Sequence, residues 1–343
     1  MSGRTLAGLV AVVGAALLTL LLPVAMTDAE LTVYVYIGLY ALVVIGLSLL
    51  MGFAGQVSLG QGSFFAIGAY GAALLTMRWS FPPLLSLAVA CAGTGALAAL
   101  VGLPLLRLRG HYLAFATLAF QLIVLSVIGQ FQGLTGGDTG LIGIPTLSLG
   151  PIALIGRYRV FTFSYVVWVL VAIALALSWN LIHSRPGRAL RALATSEAGA
   201  LASGIDVGGY KLRVFAFSAA LAGLGGGVFA FFVGYIAPET FPILLSVEFL
   251  LMAAVGGMGS IFGAIAGTVL IYLLLQGLQA LGTLPGMPLH APVVFSYAVY
   301  ALTLILILLL LPEGIVPAIG KLIGALVDRR RQASGEVQPG PRG

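Results

Sequence analysis

Residues 298–311, AVYALTLILILLLL, decide the fold class of this chain. The run contains no charged residue, and apolar side chains do not alternate with polar ones along it. Strands of a membrane β-barrel alternate in this way over segments of about ten residues, whereas a membrane-spanning helix needs roughly 20 mostly apolar residues in a row. The run therefore predicts a helix that crosses a lipid bilayer.

The composition extends this prediction to the rest of the chain. Of its 343 residues, 60% are hydrophobic and 8% are charged, and the mean hydropathy is +1.14. Soluble domains carry about 25% charged residues, so this chain lacks the polar surface that water requires. We expect an all-α polytopic membrane protein. One cysteine, Cys91, excludes an internal disulfide, and a net charge of +6 is typical of basic cytoplasmic loops.

Apolar runs separated by glycine, proline and charged residues predict about ten transmembrane helices, of which 57–77 and 243–258 are short, broken or re-entrant. The predicted spans are 5–27, 31–50, 57–77, 84–106, 111–131, 160–182, 212–236, 243–258, 261–281 and 292–312. They form one membrane domain over residues 1–327, and a disordered tail follows at 328–343 because that segment is rich in charge, proline and glycine. The first run also fits a secretory signal, which would leave nine spans.

The basic residues predict the orientation of these spans. With the N-terminus in the cytoplasm, thirteen Lys and Arg residues fall on the cytoplasmic side and three fall outside. Cytoplasmic loops of membrane proteins carry such an excess. Both termini are therefore expected in the cytoplasm, with a long external loop at 132–159 and a long cytoplasmic loop at 184–213.

The cytoplasmic loop begins SRPGRALRALATSEAGALASGID, residues 184–206. Pro186 and Gly187 break the helix that arrives from the membrane, and Gly204 suits a helix end, where a residue with positive φ is favoured. One or two short helices are expected between them. The residues fit two roles for these helices: docking on another protein, or lying on anionic lipid with the help of arginine side chains.

Part of this loop, EAGALASGID at 197–206 with the following YKL, resembles the EAA-type coupling loop of ABC importer permeases. In that family the loop docks in a groove of the ATPase subunit and transmits its closure. The resemblance implies that this coupling role is carried by Arg188, Glu197, Ala198, Gly199, Gly204 and Ile205. Gly199 stands where the family usually has alanine, a change that weakens a helix by up to about 1 kcal/mol.

Further stretches resemble one branch of these permeases, the M-type permease of branched-chain amino acid ABC importers. The stretches are GFAGQVSLGQGSFFAIGAY at 52–70, RLRGHYLAFATLAF at 107–120, LTGGDTGL at 134–141 and AVGGMGSIFGAIAG at 254–267. The resemblance covers about residues 30–315. It implies a bacterial inner-membrane importer with a homologous second permease, two ABC ATPase subunits and an external solute-binding protein. Urea and short-amide importers have similar permeases.

The chain itself shows no nucleotide-binding motif. A Walker A loop needs G-x-x-x-x-G-K-[ST], and the nearest approach, GIVPAIGKL at 314–322, has five residues between its glycines and a leucine after the lysine. We therefore expect no bound cofactor or metal, no catalysis by this chain, and ATP use by a partner subunit. The competing interpretations are a secondary transporter, which usually carries acids in several spans, and a channel or membrane-embedded enzyme.

The stretch GFAGQVSLGQG at 52–62 places amides and hydroxyls on glycine-rich backbone within an apolar region. Irregular backbone is tolerated in a membrane only where it is buried in protein or lines a cavity. We interpret a set of its residues as part of a translocation path or gate, with close helix packing as the alternative; the set is Gly52, Phe53, Gly55, Gln56, Ser58 and Gln61. For regularly spaced glycines the packing role is preferred; these are Gly68, Gly71, Gly259, Gly263 and Gly267.

A zwitterionic amino acid suits such a path, because unpaired N–H and C=O groups at broken helix ends can meet its carboxylate and its ammonium. Glu248 is an acid inside a predicted span, in ILLSVEFLLMAAVGG. Acids in membrane spans are functional candidates. Glu248 fits either a place on the translocation path or a solvated position near the outer surface.

Overall fold

The computed structural model describes residues 21–108, 110–149, 152–153 and 159–282, and also residues 301, 302 and 305. The first predicted span, the last one and the C-terminal tail lie wholly or largely outside these ranges. The predictions made for those three segments are not addressed by the structure.

Within the described ranges the chain forms eleven α-helices and two short β-ribbons. The helices are α1 (Asp28–Ala54), α2 (Gln61–Trp79), α3 (Pro83–Leu105), α4 (His111–Gln130), α5 (Gln132–Thr135), α6 (Arg159–His183), α7 (Arg185–Thr195), α8 (Glu197–Ala202), α9 (Val207–Val233), α10 (Ile243–Gly256) and α11 (Ile261–Gly282). The strands pair antiparallel, β1 (Leu141–Ile142) with β4 (Tyr235–Ile236) and β2 (Ser148–Leu149) with β3 (Ile152–Ala153). Three 3₁₀ turns lie at Leu22–Ala25, Gly137–Thr139 and Pro238–Thr240.

The protein is an all-α polytopic membrane protein apart from these ribbons. Seven segments of the described chain are long and apolar enough to cross a membrane, and α2 is not among them. The predicted count of ten is therefore not reached in the described part. The largest difference in a predicted helix start is at α9, which begins at Val207 and not at 212. The Asp206 side chain caps it there by accepting a hydrogen bond from the Gly209 N–H at 3.0 Å.

Helices α1 and α9 form the centre of the molecule. In each, 78% of the most apolar 18-residue window is buried, against 22–28% in α3, α4 and α6. Helices that are apolar all round are buried on all sides, whereas a helix at the periphery buries one face. Peripheral helices leave large apolar side chains such as Leu100, Phe115 and Val169 exposed, as expected where protein meets lipid.

Glycines allow α2 and α9 to touch through their backbones. A Cβ atom on Gly68 would lie 2.0 Å from the carbonyl oxygen of Gly223, and one on Gly226 would lie 1.8 Å from that of Phe65. No side chain fits at these distances, so the helices can approach this closely only with glycine at the contact. The predicted packing role of Gly68 is confirmed.

The glycine series at the start of α11 has a mixed outcome. Gly263 and Gly267 pack against α10, since added Cβ atoms would lie 2.2 Å from the Gly256 oxygen and 2.1 Å from the Met252 oxygen. Gly259 does not belong to this series. It lies in the turn between α10 and α11 with φ of +82°, a conformation that favours glycine, and its backbone meets Gly52 of α1 and not α10.

The connections between helices gather at two ends of the bundle. At the ribbon end, which holds β1, β4 and their neighbours, the Tyr235 hydroxyl donates to the Thr139 carbonyl at 3.2 Å, and the Arg78 side chain donates to the Gly133 carbonyl. At the coupling end, which holds α7 and α8, lie the α1–α2, α3–α4 and α10–α11 connections. Consecutive helices that run in opposite directions place their connections alternately at the two ends of the bundle. The predicted spans alternate in the same way.

The contact between α2 and α9 generates a stability prediction. Gly68→Ala places a methyl group against the Gly223 backbone and should destabilise the protein by about 1–3 kcal/mol through overpacking. Gly71→Ala on the same helix is the matched control, because its Cβ would meet the Ala90 Cβ at an ordinary 3.5 Å. Size-exclusion chromatography of detergent-solubilised protein after heating should show a lower melting temperature for Gly68→Ala alone. Equal melting temperatures would contradict the packing argument.

Candidate functional site

The glycine-rich stretch singled out in the sequence is a break between two helices. Helix α1 ends at Ala54, and Gly55 follows with φ of +62° and donates its N–H to the Leu50 carbonyl. Residues 55–60 are irregular before α2 begins at Gln61. Although irregular, the segment is largely internal, because Gln56 is 4% exposed and Ser58 and Gln61 are fully buried.

Side chains from other helices satisfy the backbone of this break. The Leu59 N–H donates to Thr117 Oγ1 of α4 at 2.9 Å, and the Gly62 N–H donates to Ser246 Oγ of α10 at 2.7 Å. The Gly60 N–H donates to Ser58 Oγ at 3.3 Å. The expectation that these N–H groups stand open to a solute is therefore wrong, because buried donors are already paired within the protein.

A buried polar network extends from these contacts. The Ser246 hydroxyl donates to Gln121 Oε1 at 2.6 Å, and Gln121 Nε2 donates to the Pro242 carbonyl at 3.3 Å. Gln61 Nε2 donates to Ser218 Oγ of α9 at 3.1 Å. The break is thus fastened to α4, α9 and α10. Sequence analysis missed these partners, although each is an isolated polar residue in an apolar helix.

The two glycine-rich stretches of the sequence meet at the coupling end. A Cβ atom on Gly52 would lie 2.1 Å from the Gly259 Cα, and one on Gly259 would lie 3.8 Å from the Phe53 ring. The Ser48 hydroxyl adds a hydrogen bond to the Ser260 carbonyl at 3.4 Å. The end of α1 and the α10–α11 turn therefore touch through backbone atoms, and this contact leaves no passage between them.

The predicted cytoplasmic loop folds into α7 and α8. Gly187 allows α7 to turn back on α6, since a Cβ there would lie 1.9 Å from the Ile182 carbonyl oxygen. Leu190 and Leu193 are buried and fix α7 to the bundle. Leu201 on α8 is 55% exposed, because extended backbone at Ser196 separates the two helices and turns the apolar face outward. Arg188 is also exposed.

Helix α8 is short but capped at both ends. Ser196 Oγ accepts from the Gly199 N–H at 3.1 Å. At the other end Gly204 has φ of +74°, its N–H donates to the Leu201 carbonyl, and the Ile205 N–H donates to the Ala200 carbonyl, each at 3.0 Å. This is the Schellman pattern, so the predicted role of Gly204 as a helix end is confirmed. Ala198 and Gly199 are exposed on its surface.

An ion pair joins α8 to the start of α9. Lys211 Nζ lies 2.8 Å from Glu197 Oε2, with the two side chains 15% and 42% exposed. A partly exposed pair of this kind contributes up to about 1 kcal/mol to stability, so its main effect is to fix the direction of α8. Lys211 was assigned no role in the sequence, because the loop was expected to extend to residue 213.

A cavity of about 220 Å³ lies where the break and this ion pair meet. Three connections line it: Gly55, Gln56 and Val57 from the break; Leu108, Gly110, His111, Leu113 and Ala114 around the start of α4; and Glu197 and Lys211. Gln56 Oε1 has no hydrogen-bond partner in the described part of the chain. Residues predicted for the path and residues predicted for coupling thus share one cavity.

Glu248 lies away from this cavity. It stands eight residues before α10 ends at Gly256, about 12 Å at 1.5 Å per residue. Its neighbour Phe249 packs on the Tyr40 ring with centroids 5.1 Å apart, and Tyr40 lies twelve residues, about 18 Å, into the 27-residue α1. Glu248 is therefore at mid-depth of the bundle and not at its outer surface.

Comparison with known proteins identifies the family. The family described as "Branched-chain amino acid transport system / permease component" matches residues 30–308. The chain belongs to this family. No solved structure matches the chain. Within the described residues, no three His, Cys, Asp or Glu side chains are grouped where they could hold a metal ion.

Several curated relatives each carry one of two permease names, LivM or LivH. The high-affinity branched-chain amino acid transport system permease protein LivM of Escherichia coli (strain K12) is 34% identical over 258 residues, 68% of this chain and 60% of the relative. The probable permease protein LivH of Methanocaldococcus jannaschii is 30% identical over 69% of this chain and 76% of the relative. LivH of E. coli K12 is 28% identical over 80% of this chain and 90% of the relative. The match spans about 60% of the length of the E. coli LivM relative.

The polar network predicts different effects for two buried serines. Ser246→Ala leaves the Gly62 N–H and Gln121 Oε1 without their partner, and each orphaned buried group costs about 1–3 kcal/mol. Ser178→Ala is the control, since Ser178 is equally buried but its hydroxyl has no partner in the described part of the chain. Thermal unfolding in detergent should show a clear loss for Ser246→Ala and little change for Ser178→Ala. The reverse order would refute the network as a stabilising element.

Proposed function

We propose that this protein is the permease subunit of an ABC importer that carries branched-chain amino acids across a bacterial inner membrane. The proposal includes ten spans, both termini in the cytoplasm and ATP hydrolysis by a separate subunit. One observation carries it: the broken helix pair and the coupling helix α8 line the same cavity, so a force applied to α8 reaches the break directly.

Helix α8 has the form of a docking element. Its base is fixed by buried Leu190 and Leu193 of α7 and by the Glu197–Lys211 pair, while Ala198, Gly199 and Leu201 face outward. Small residues allow another backbone to approach closely, and an exposed leucine on such a surface provides an anchor for a partner's pocket. The occupant we propose is a cytoplasmic ATPase subunit, as the coupling-loop resemblance implies.

The cavity allows movement of α8 to reach the break. Glu197 and Lys211 form one wall and Gly55 and Gln56 form another, so the ion pair and the break can shift relative to each other without compressing packed side chains. Gln56 keeps an unpaired acceptor there, which gives the loop an alternative hydrogen bond to make in a second state. Packed cores without such space resist displacement.

The path we propose is closed at the coupling end in this structure. Gly52 and Phe53 meet the turn at Gly259, and backbone contact at that point excludes a solute. Opening requires the end of α1 to separate from the α10–α11 turn. Gln61 and Ser58, buried behind this contact, would then line the widened passage, as the sequence analysis suggests.

The partners we propose follow from the same architecture. Relatives of this chain carry two permease names, LivM and LivH, which supports a second, homologous permease in the complex. Two ATPase subunits would dock at α8 and its counterpart. The ribbon end, opposite the coupling end, offers a surface for an external solute-binding protein.

Reconstitution tests the proposal. The chain, its second permease, two ATPase subunits and the solute-binding protein in proteoliposomes should accumulate L-leucine only when ATP is supplied to the ATPase side. Omitting either this chain or the ATPases should abolish uptake. Transport of urea or short amides in place of leucine would support the related importers instead. Uphill leucine uptake by the chain without ATPases would establish a secondary transporter and overturn the proposal.

The exposed leucine of α8 gives a sharper test of coupling. Leu201→Asp should weaken binding of the ATPase subunits about thirtyfold, because removal of an interface anchor commonly costs at least about 2 kcal/mol. Glu239→Gln is the control, since this exposed glutamate lies at the ribbon end, away from α8. Copurification and titration of the ATPases on the permease in nanodiscs measure both variants. Unchanged binding by Leu201→Asp would remove α8 from the interface.

A further inference from the structure

We propose that Glu248, together with the rings of Tyr36, Tyr40 and Tyr272, binds the ammonium group of the transported amino acid halfway across the membrane. This inference rests on the proposed function and assigns a solute site to it. The site is separate from the cavity at the coupling end and lies two residues along α10 from Ser246, which binds the inner end of the break at Gly62.

The three tyrosines form one ring cluster. Tyr36 and Tyr272 are stacked with centroids 6.2 Å apart, and Tyr40 meets Tyr272 edge-on at 5.6 Å and Tyr36 edge-on at 6.3 Å. The Glu248 carboxyl lies close enough to interact electrostatically with Tyr40 and Tyr272. Helices α1, α10 and α11 thus contribute one acid and three polar aromatic rings to a single place.

The cluster is reachable from one side of the bundle. On α1, Thr32, Tyr36 and Tyr40 are half-buried at intervals of four residues and form one partly open stripe. The stripe ends at Tyr40, because every residue from 41 to 51 is buried and Gly52 then meets Gly259. A solute that entered along the stripe from the ribbon end would be stopped beside Tyr40 and Glu248.

Exposure to lipid does not account for a half-buried acid at this depth. A carboxylate facing hydrocarbon costs about 2.5–3.5 kcal/mol even on insertion scales, and such acids normally face a bundle interior or a watery path. The neighbouring aromatic contacts would hold Glu248 beside the tyrosines whether or not a ligand is present. Glu248 makes no hydrogen bond or ion pair with any described residue, so its carboxylate oxygens are available to a ligand.

The chemistry of the cluster selects an ammonium group. A carboxylate pairs with a cation, and tyrosine faces attract cations through their ring quadrupoles. Phe229, Phe232 and Phe249 pack on the same tyrosines and provide an apolar wall suited to an aliphatic side chain. The combination matches the ammonium and side chain of a branched-chain amino acid, and it offers no cationic side chain for a carboxylate among these residues.

Equilibrium binding of radiolabelled L-leucine to the permease–ATPase complex in nanodiscs, without the solute-binding protein, tests the site. L-Leucinamide keeps the ammonium and lacks the carboxylate, whereas 4-methylpentanoate has the same carbon chain without the ammonium. In the unmodified complex the amide should compete with leucine, and the acid should need a concentration at least about thirtyfold higher. Equal competition by the acid would overturn the proposal without any variant being made.

Variants locate the site. Glu248→Gln should lower leucine affinity about thirtyfold or more, and Glu248→Asp should lose less because it keeps the charge. Tyr40→Phe retains the ring and should bind as the wild type, whereas Tyr40→Leu should lose up to about tenfold. Glu239→Gln, at an exposed glutamate of the ribbon end, is the control and should bind normally.

Wild-type leucine affinity in Glu248→Gln would overturn the site. A second result would also overturn it: the two permeases separate in Glu248→Gln, while Glu248→Asp and Tyr40→Leu keep wild-type leucine affinity. The second result would make Glu248 a contact between subunits. The proposed function is judged separately, by ATP-dependent leucine uptake in the complete wild-type system. That uptake can succeed while the binding site fails, so the two conclusions do not depend on a single result.

Discussion

The need to pair backbone N–H groups away from water governs the structure around the α1–α2 break. A helix interrupted inside a bundle exposes donors that lipid cannot accept, and each unpaired donor costs several times the thermal energy. Here Thr117 and Ser246 provide the missing acceptors from α4 and α10, and Gln121 holds Ser246 in place. The irregular segment is therefore a fixed junction of four helices and not a loose loop.

The junction and the acid at mid-depth are neighbours on α10. The Gly52–Gly259 contact and the cavity lie at the coupling end, and the break extends inward from there to Gly62, which meets Ser246 two residues before Glu248. Glu248 and its tyrosines are therefore level with the inner end of the break, and a fully buried length of α1 separates them from the coupling end.

The sequence predicted the helices well because apolar length is a local property. All eight spans predicted within the described ranges correspond to helices, and the family resemblance was confirmed by residues 30–308. The pairing of Gly62 with Ser246, 184 residues away, could not be predicted, because it depends on which helices become neighbours. The glycine-rich pattern singled out Gln56 and Gln61, but it predicted unpaired N–H groups at the helix ends. In the structure, side chains of other helices accept hydrogen bonds from these N–H groups. The depth of Glu248 likewise emerged only from its contact with the middle of α1.

Helix α9 runs from the coupling end to the ribbon end without interruption. Four residues separate its start from the end of α8, and one residue separates its end from β4, which pairs with β1. At 27 residues it is about 40 Å long, and backbone contacts at Gly223 and Gly226 prevent it from bending away from α2. If a partner docks on α8 as proposed, a displacement of α8 would therefore be passed along α9 to the ribbon at the opposite end. A partner bound at the ribbon end would act on α8 through the same helix.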